Sequence, residues 1–62
     1  MDKVAEIKRI YQHATRRTIE ADLQRAITLL KAIEKDEDRE RAAVFMEGLA
    51  LMRKEWRAVD GK

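Results

Sequence analysis

The chain has 62 residues, of which 45% are hydrophobic and 42% are charged, and its formal net charge is +2. This is the length of one small domain, so we expect a single domain over residues 1–62. The sequence contains no cysteine and no serine, which excludes disulfide bonds, thiolate metal sites and a serine or cysteine nucleophile. Its only glycines are Gly48 and Gly61, and at these positions they can build neither a GxGxxG loop nor a P-loop.

The composition also leads to expectations about the cellular compartment, membrane segments, metal sites and catalysis. A short chain without cysteine is typical of a reducing environment, so we expect a cytoplasmic protein. The longest apolar run, residues 42–46, is far shorter than the roughly 20 residues that span a bilayer, and we expect no membrane segment. His13 is the only histidine, and it has no second ligand at helical spacing. We therefore expect no metal, no cofactor, no catalytic residue and no enzymatic activity.

Strong helix formers dominate the sequence, and proline and asparagine are absent. No Asn-Gly or Asp-Gly turn separates two alternating segments, so strand and hairpin signals are missing. The sequence predicts an all-α fold: a bundle of two to three antiparallel helices, at about 2–15, 18–34 and 37–59, completed by homodimerisation.

The first half of the chain carries two apolar stripes that differ in direction by about a quarter turn. The first consists of Val4, Ile7, Tyr11 and Ala14, and the second of Ile19, Leu23, Ala26, Leu30 and Ile33. Two alternatives remain open. Either the chain breaks near Thr15–Thr18, with Thr18 as the cap of a new helix, or one long helix projects its first residues onto a second subunit.

Residues 34–41 are eight consecutive charged residues, and they mark the next boundary. Asp36 and Asp38 are suited to a helix start, so we predict that the last helix begins within 36–38. The pattern also contains Asp-x-Asp, as calcium loops do. However, the glycine and the distal glutamate of an EF-hand are not at their positions, so we expect a solvated turn.

The last predicted helix is apolar nearly all the way round between Ala42 and Met52, where Glu47 is the only charged residue. Such a helix must be covered on more than one side, and a chain this short has few residues to cover it. We therefore predict an oligomer or partner interface. Gly48 in mid-helix indicates a close helix approach. The predicted interface residues are Val44, Phe45, Met46, Gly48, Leu49, Leu51, Met52 and Trp56.

The N-terminal segment is the positive end of the chain. Its candidate phosphate-binding residues are Lys8, Arg9, His13, Arg16 and Arg17. These observations predict a self-associating regulator or adaptor that acts by protein–protein binding, with a second copy or a partner helix as its occupant. An RNA- or DNA-binding regulator that uses the basic helix face is the alternative.

Overall fold

A computed structural model describes residues 2–60 of the chain, with side chains described as far as residue 58. It contains three helices: α1 (Lys3–His13), α2 (Ile19–Ala32) and α3 (Asp36–Asp60). No strand occurs within residues 2–60. The predicted all-α class is confirmed, and the broken first half is found instead of one long helix.

The break between α1 and α2, at residues 14–18, contains no glycine, proline or asparagine. Ala14 leaves the helix in an extended conformation, with φ −65° and ψ 140°. No described residue has a positive φ, so the lack of glycine and asparagine at this turn is no obstacle. The connection continues through a turn at residues 16–18, which the bond from the Thr18 amide to the Thr15 carbonyl closes at 3.1 Å.

The predicted cap at Thr18 needs correction. Thr18 precedes α2, but its side chain caps no amide of that helix. Thr15 and Thr18 instead bond reciprocally: the Thr15 amide donates to Thr18 Oγ1 at 3.0 Å, and the Thr18 amide donates to Thr15 Oγ1 at 3.2 Å. This is the pattern of a capping box that begins at Thr15. Thr18 Oγ1 also donates to Asp22 Oδ2 at 2.6 Å.

The other two helix starts are acidic. The Asp2 side chain accepts from the amides of Val4 and Ala5, at 3.0 and 3.3 Å, and so caps α1. At the start of α3, Asp36, Glu37 and Asp38 fill the first turn, where carboxylates interact favourably with the helix dipole. The predicted start of the last helix within 36–38 is therefore confirmed.

The core lies where the three helices meet. Its buried residues are Ile7 and Ile10 of α1, Ile19 and Ala26 of α2, Ile33 of the following turn, and Ala42 and Leu49 of α3. The second predicted stripe is thus on the buried side of α2. The first stripe is displaced by one position, because Ile10 is buried whereas Tyr11 remains 37% exposed.

The helix order places α1 and α3 parallel and in direct contact with each other, and α2 runs antiparallel to both and packs against both. Val4 and Phe45 line one groove, and Tyr11 lies against Gly48 one helical level further along. At the far end, Arg53 Nε donates to Glu20 Oε2 at 3.1 Å, joining the end of α3 to the start of α2. The bundle measures 41 × 17 × 16 Å.

Candidate interaction surface

Two large apolar side chains of α3 point away from the bundle. Val44 is 67% exposed and Leu51 is 55% exposed. They are seven residues apart, so they lie on the same line of the helix surface, about 10 Å from each other along the axis. The prediction that the chain cannot cover all of this helix therefore holds at these two positions.

Tyr11 of α1 extends this apolar surface across the groove between α1 and α3. Its ring packs against Phe45, with centroids 5.7 Å apart and an interplanar angle of 50°. The same ring lies over Gly48, where a Cβ atom would meet Tyr11 Cε1 at 2.5 Å. The close approach expected at Gly48 is present, but it is made by an aromatic side chain. We call Tyr11, Val44, Gly48 and Leu51 the apolar patch.

The other predicted interface residues lie towards the chain's own core. Leu49 is fully buried. Four more are partly buried and pack against the core: Phe45, Met46, Met52 and Trp56. The three helices therefore use most of the predicted interface within one subunit, and within the apolar patch Val44, Leu51 and part of the Tyr11 ring remain exposed.

Charged residues border the apolar patch. Beside Val44, the open groove between α1 and α3 is lined by Lys8, Arg41 and Asp2. One turn beyond Leu51, Glu55 is exposed. Within the described part of the chain, neither Arg41 nor Glu55 forms an ion pair. The charges beside the patch are mixed. Asp2 and the exposed Glu40 lie with Lys8 and Arg41 at the Val44 end, the exposed Lys54 lies with Glu55 at the Leu51 end, and the exposed Glu47 lies between Val44 and Leu51.

The structure distributes the predicted phosphate-binding residues over several places. All five are exposed. Lys8 lines the groove towards α3, whereas Arg9 and His13 line the groove towards α2, together with Glu6 and Asp22. Arg16 and Arg17 lie in the turn that precedes α2. The exposed half of α1 therefore presents mixed charge on its α2 side.

Sequence reasoning missed three contributors to these surfaces. Tyr11 belongs to the apolar stripe predicted for α1. The adjacent Ile10 is buried in its place, and this second apolar residue was the signal that the buried side of α1 passes through Ile10. Arg41 and Arg53 belong to charged stretches of the sequence that gave no indication of their neighbours. The packing of the helices places Arg41 beside Val44 and Arg53 beside Glu20. Glu20, the partner of Arg53, is 33 residues away in sequence.

Within the part of the chain that the structure covers, no polar or charged side chain is buried, and no cluster of three potential metal ligands occurs. None of the three helices, over the same residues, combines the length and apolarity of a membrane span. No family model matches the chain, and no curated protein or solved structure is significantly similar to it.

Proposed function

We propose that this protein is a non-enzymatic, self-associating helical module that acts by protein–protein binding, as a regulator or adaptor. The observation that carries the proposal is the exposure of Val44 and Leu51 on one line of α3, beside the half-exposed ring of Tyr11. Large apolar side chains that share one uncovered surface, bordered by charges, are typical of a binding site.

The geometry of the apolar patch suits a helical occupant. Val44 and Leu51 are seven residues, or two helical turns, apart. Apolar residues on one side of an amphipathic helix recur at the same spacing, so such a helix could contact both. The groove between α1 and α3 continues beside Val44 and is lined there by Lys8 and Phe45, among others. An extended strand would find no free backbone edge in a bundle of helices.

The direct test is a charge placed on the patch. Leu51→Glu should remove self-association while the helical content stays unchanged, because the side chain is 55% exposed and leaves no cavity in the core. Ala50→Glu is the matched control: the neighbouring residue is also exposed but lies about 100° away around α3. Sedimentation equilibrium measures the association, and circular dichroism measures the helicity.

Met46→Glu is less suited to this test. Met46 is partly buried against the core of its own subunit, so a carboxylate there should destabilise the bundle whether or not a partner binds. If Leu51→Glu and Ala50→Glu associate as strongly as the unsubstituted chain, the apolar patch is not the binding site and the proposal fails.

Nucleic acid binding is a second candidate function, favoured by one observation. Arg17 lies in the turn before α2, and Arg53, Lys54 and Arg57 line one groove on α3. Arg53 also pairs with Glu20 in the first turn of α2. Phosphate contacts of this kind weaken steeply with salt, by a log-log slope of about −0.9 for each contact on duplex DNA. Arg17→Glu should weaken binding to an RNA or DNA duplex, and Arg39→Glu, at the opposite end of the bundle, should not.

A further inference from the structure

We propose that the occupant of the apolar patch is a second copy of this chain, with its α3 antiparallel to α3 of the first copy. The inference rests on the proposed function and deepens it by naming the partner and its orientation. The arrangement is a two-fold dimer whose axis passes beside Gly48, and it pairs Arg41 of each copy with Glu55 of the other.

The spacing of the residues on α3 is symmetric about Gly48. Arg41 and Glu55 are each seven residues from Gly48, which is about 10.5 Å along the helix in either direction, and within about 20° of it around the axis. Val44 and Leu51 lie between them on the same side. A half-turn about an axis at Gly48 therefore exchanges the two charged positions, and also brings Val44 close to Leu51 of the partner subunit.

The charges decide the direction of the second helix. In the antiparallel pair, Glu55 of one copy meets Arg41 and Lys8 of the other, Lys54 lies near Glu40 of the other copy, and each contact occurs twice by symmetry. The two Glu47 side chains lie near each other in either orientation, so they do not discriminate between the two orientations. In a parallel pair, Arg41 would face a second Arg41 and Glu55 would face a second Glu55. Neither residue has an ion-pair partner among the described residues of its own chain, so both are available for the contact.

The test is a charge exchange measured by sedimentation equilibrium at low ionic strength, where surface pairs are least screened. Arg41→Glu and Glu55→Arg each convert two attractive contacts into two repulsive ones, so each should weaken the dimer about tenfold. The double variant R41E/E55R restores both attractions, and so does an equimolar mixture of the two single variants. Both rescues should return the dissociation constant to near its original value.

Arg39→Glu is the control, since it makes the same charge change on the same helix, at a position about 180° from Gly48. It should leave the dimer unchanged. Circular dichroism of each variant verifies that the exposed substitutions preserve the fold.

Two results overturn the inference. One is a chain that remains monomeric up to about 1 mM, a concentration at which even a weak dimer of this size is populated; this result also contradicts the proposed self-association. The other is a dimer that Leu51→Glu dissociates but that the charge exchanges do not affect. In the second case the patch is a binding site, as proposed above, and only the antiparallel pairing is wrong. A dimer that survives Leu51→Glu contradicts the proposed function itself.

Discussion

Replacing Gly48 by alanine sets two effects of opposite sign against each other. Glycine inside a helix costs about 1 kcal/mol relative to alanine, so Gly48→Ala gains that amount from helix propensity. The added Cβ, however, would lie 2.5 Å from Tyr11 Cε1. Ordinary contacts between carbon atoms are about 3.5–4.0 Å, so the ring must move by about 1 Å or more.

The cost of that movement follows from what Tyr11 touches. The ring is packed on Phe45 at 5.7 Å between centroids, and a tilted aromatic pair of this kind contributes about 0.5–1.5 kcal/mol. Overpacking a well-filled site costs about 1–3 kcal/mol. We therefore expect Gly48→Ala to lower the free energy of unfolding by about 0–2 kcal/mol, even though it improves the helix.

A double-mutant cycle with Tyr11→Ala separates the two effects. Without the ring, Gly48→Ala should stabilise the protein by about 1 kcal/mol, so the coupling energy between the two positions is about 1–3 kcal/mol. Urea denaturation followed by circular dichroism measures each variant, at one protein concentration because association would add to apparent stability. Ala50→Gly, at an exposed position of the same helix, should cost about 1 kcal/mol and calibrates the propensity term.

The refuting result is a coupling energy near zero. If Gly48→Ala stabilises the protein equally with and without the Tyr11 ring, the ring moves aside freely. The close contact would then have no part in the stability of the bundle.

The remaining predictions concern the helix ends and turns. Thr15→Ala and Thr18→Ala should each lower the free energy of unfolding by about 0.5–2 kcal/mol, because each removes one half of the reciprocal bond; in urea denaturation, a gain in stability for either would contradict the capping box. Asp2→Ala should cost about 1 kcal/mol, and Asp2→Asn, which keeps an acceptor oxygen, should cost less; equal losses would mean that the cap bond contributes nothing. Glu34→Pro should raise the thermal midpoint by a few degrees, since the preceding Ile33 is already extended at ψ 125°; Thr15→Pro should lower it, because the Thr15 amide is a donor.

The sequence was sufficient for the class of the fold and for most helix ends, because these depend on local signals. The eight charged residues 34–41 have no apolar side that could pack against a core, so they predicted a helix boundary. The structure confirms it, since α3 begins at Asp36. The change of direction between the two apolar stripes correctly indicated a break, although a continuous helix was nearly as compatible with the residues. What decided between them was tertiary packing, since Ile7 and Ile19 are buried together only if the chain folds back.

The surface was harder to predict than the fold. The apolar surplus of α3 was visible in the sequence, but which of its residues stay exposed depends on where α1 and α2 lie around it. Leu49 and Leu51 are indistinguishable by composition, yet one is fully buried and the other is half exposed. The basic residues of α1 share a helix but line different grooves, because the neighbours of an exposed side chain come from other helices.

The parallel arrangement of α1 and α3 has a consequence for the order in which the bundle assembles. The contacts of α2 with α1 and with α3 are between chain neighbours, joined by short turns over residues 14–18 and 33–35. The contact of Tyr11 with Gly48 instead closes a long loop that contains all of α2. Because contacts distant in sequence tend to form late, we expect this junction to be unformed in the folding transition state. Substitutions at Gly48 should then change the unfolding rate and leave the folding rate nearly constant.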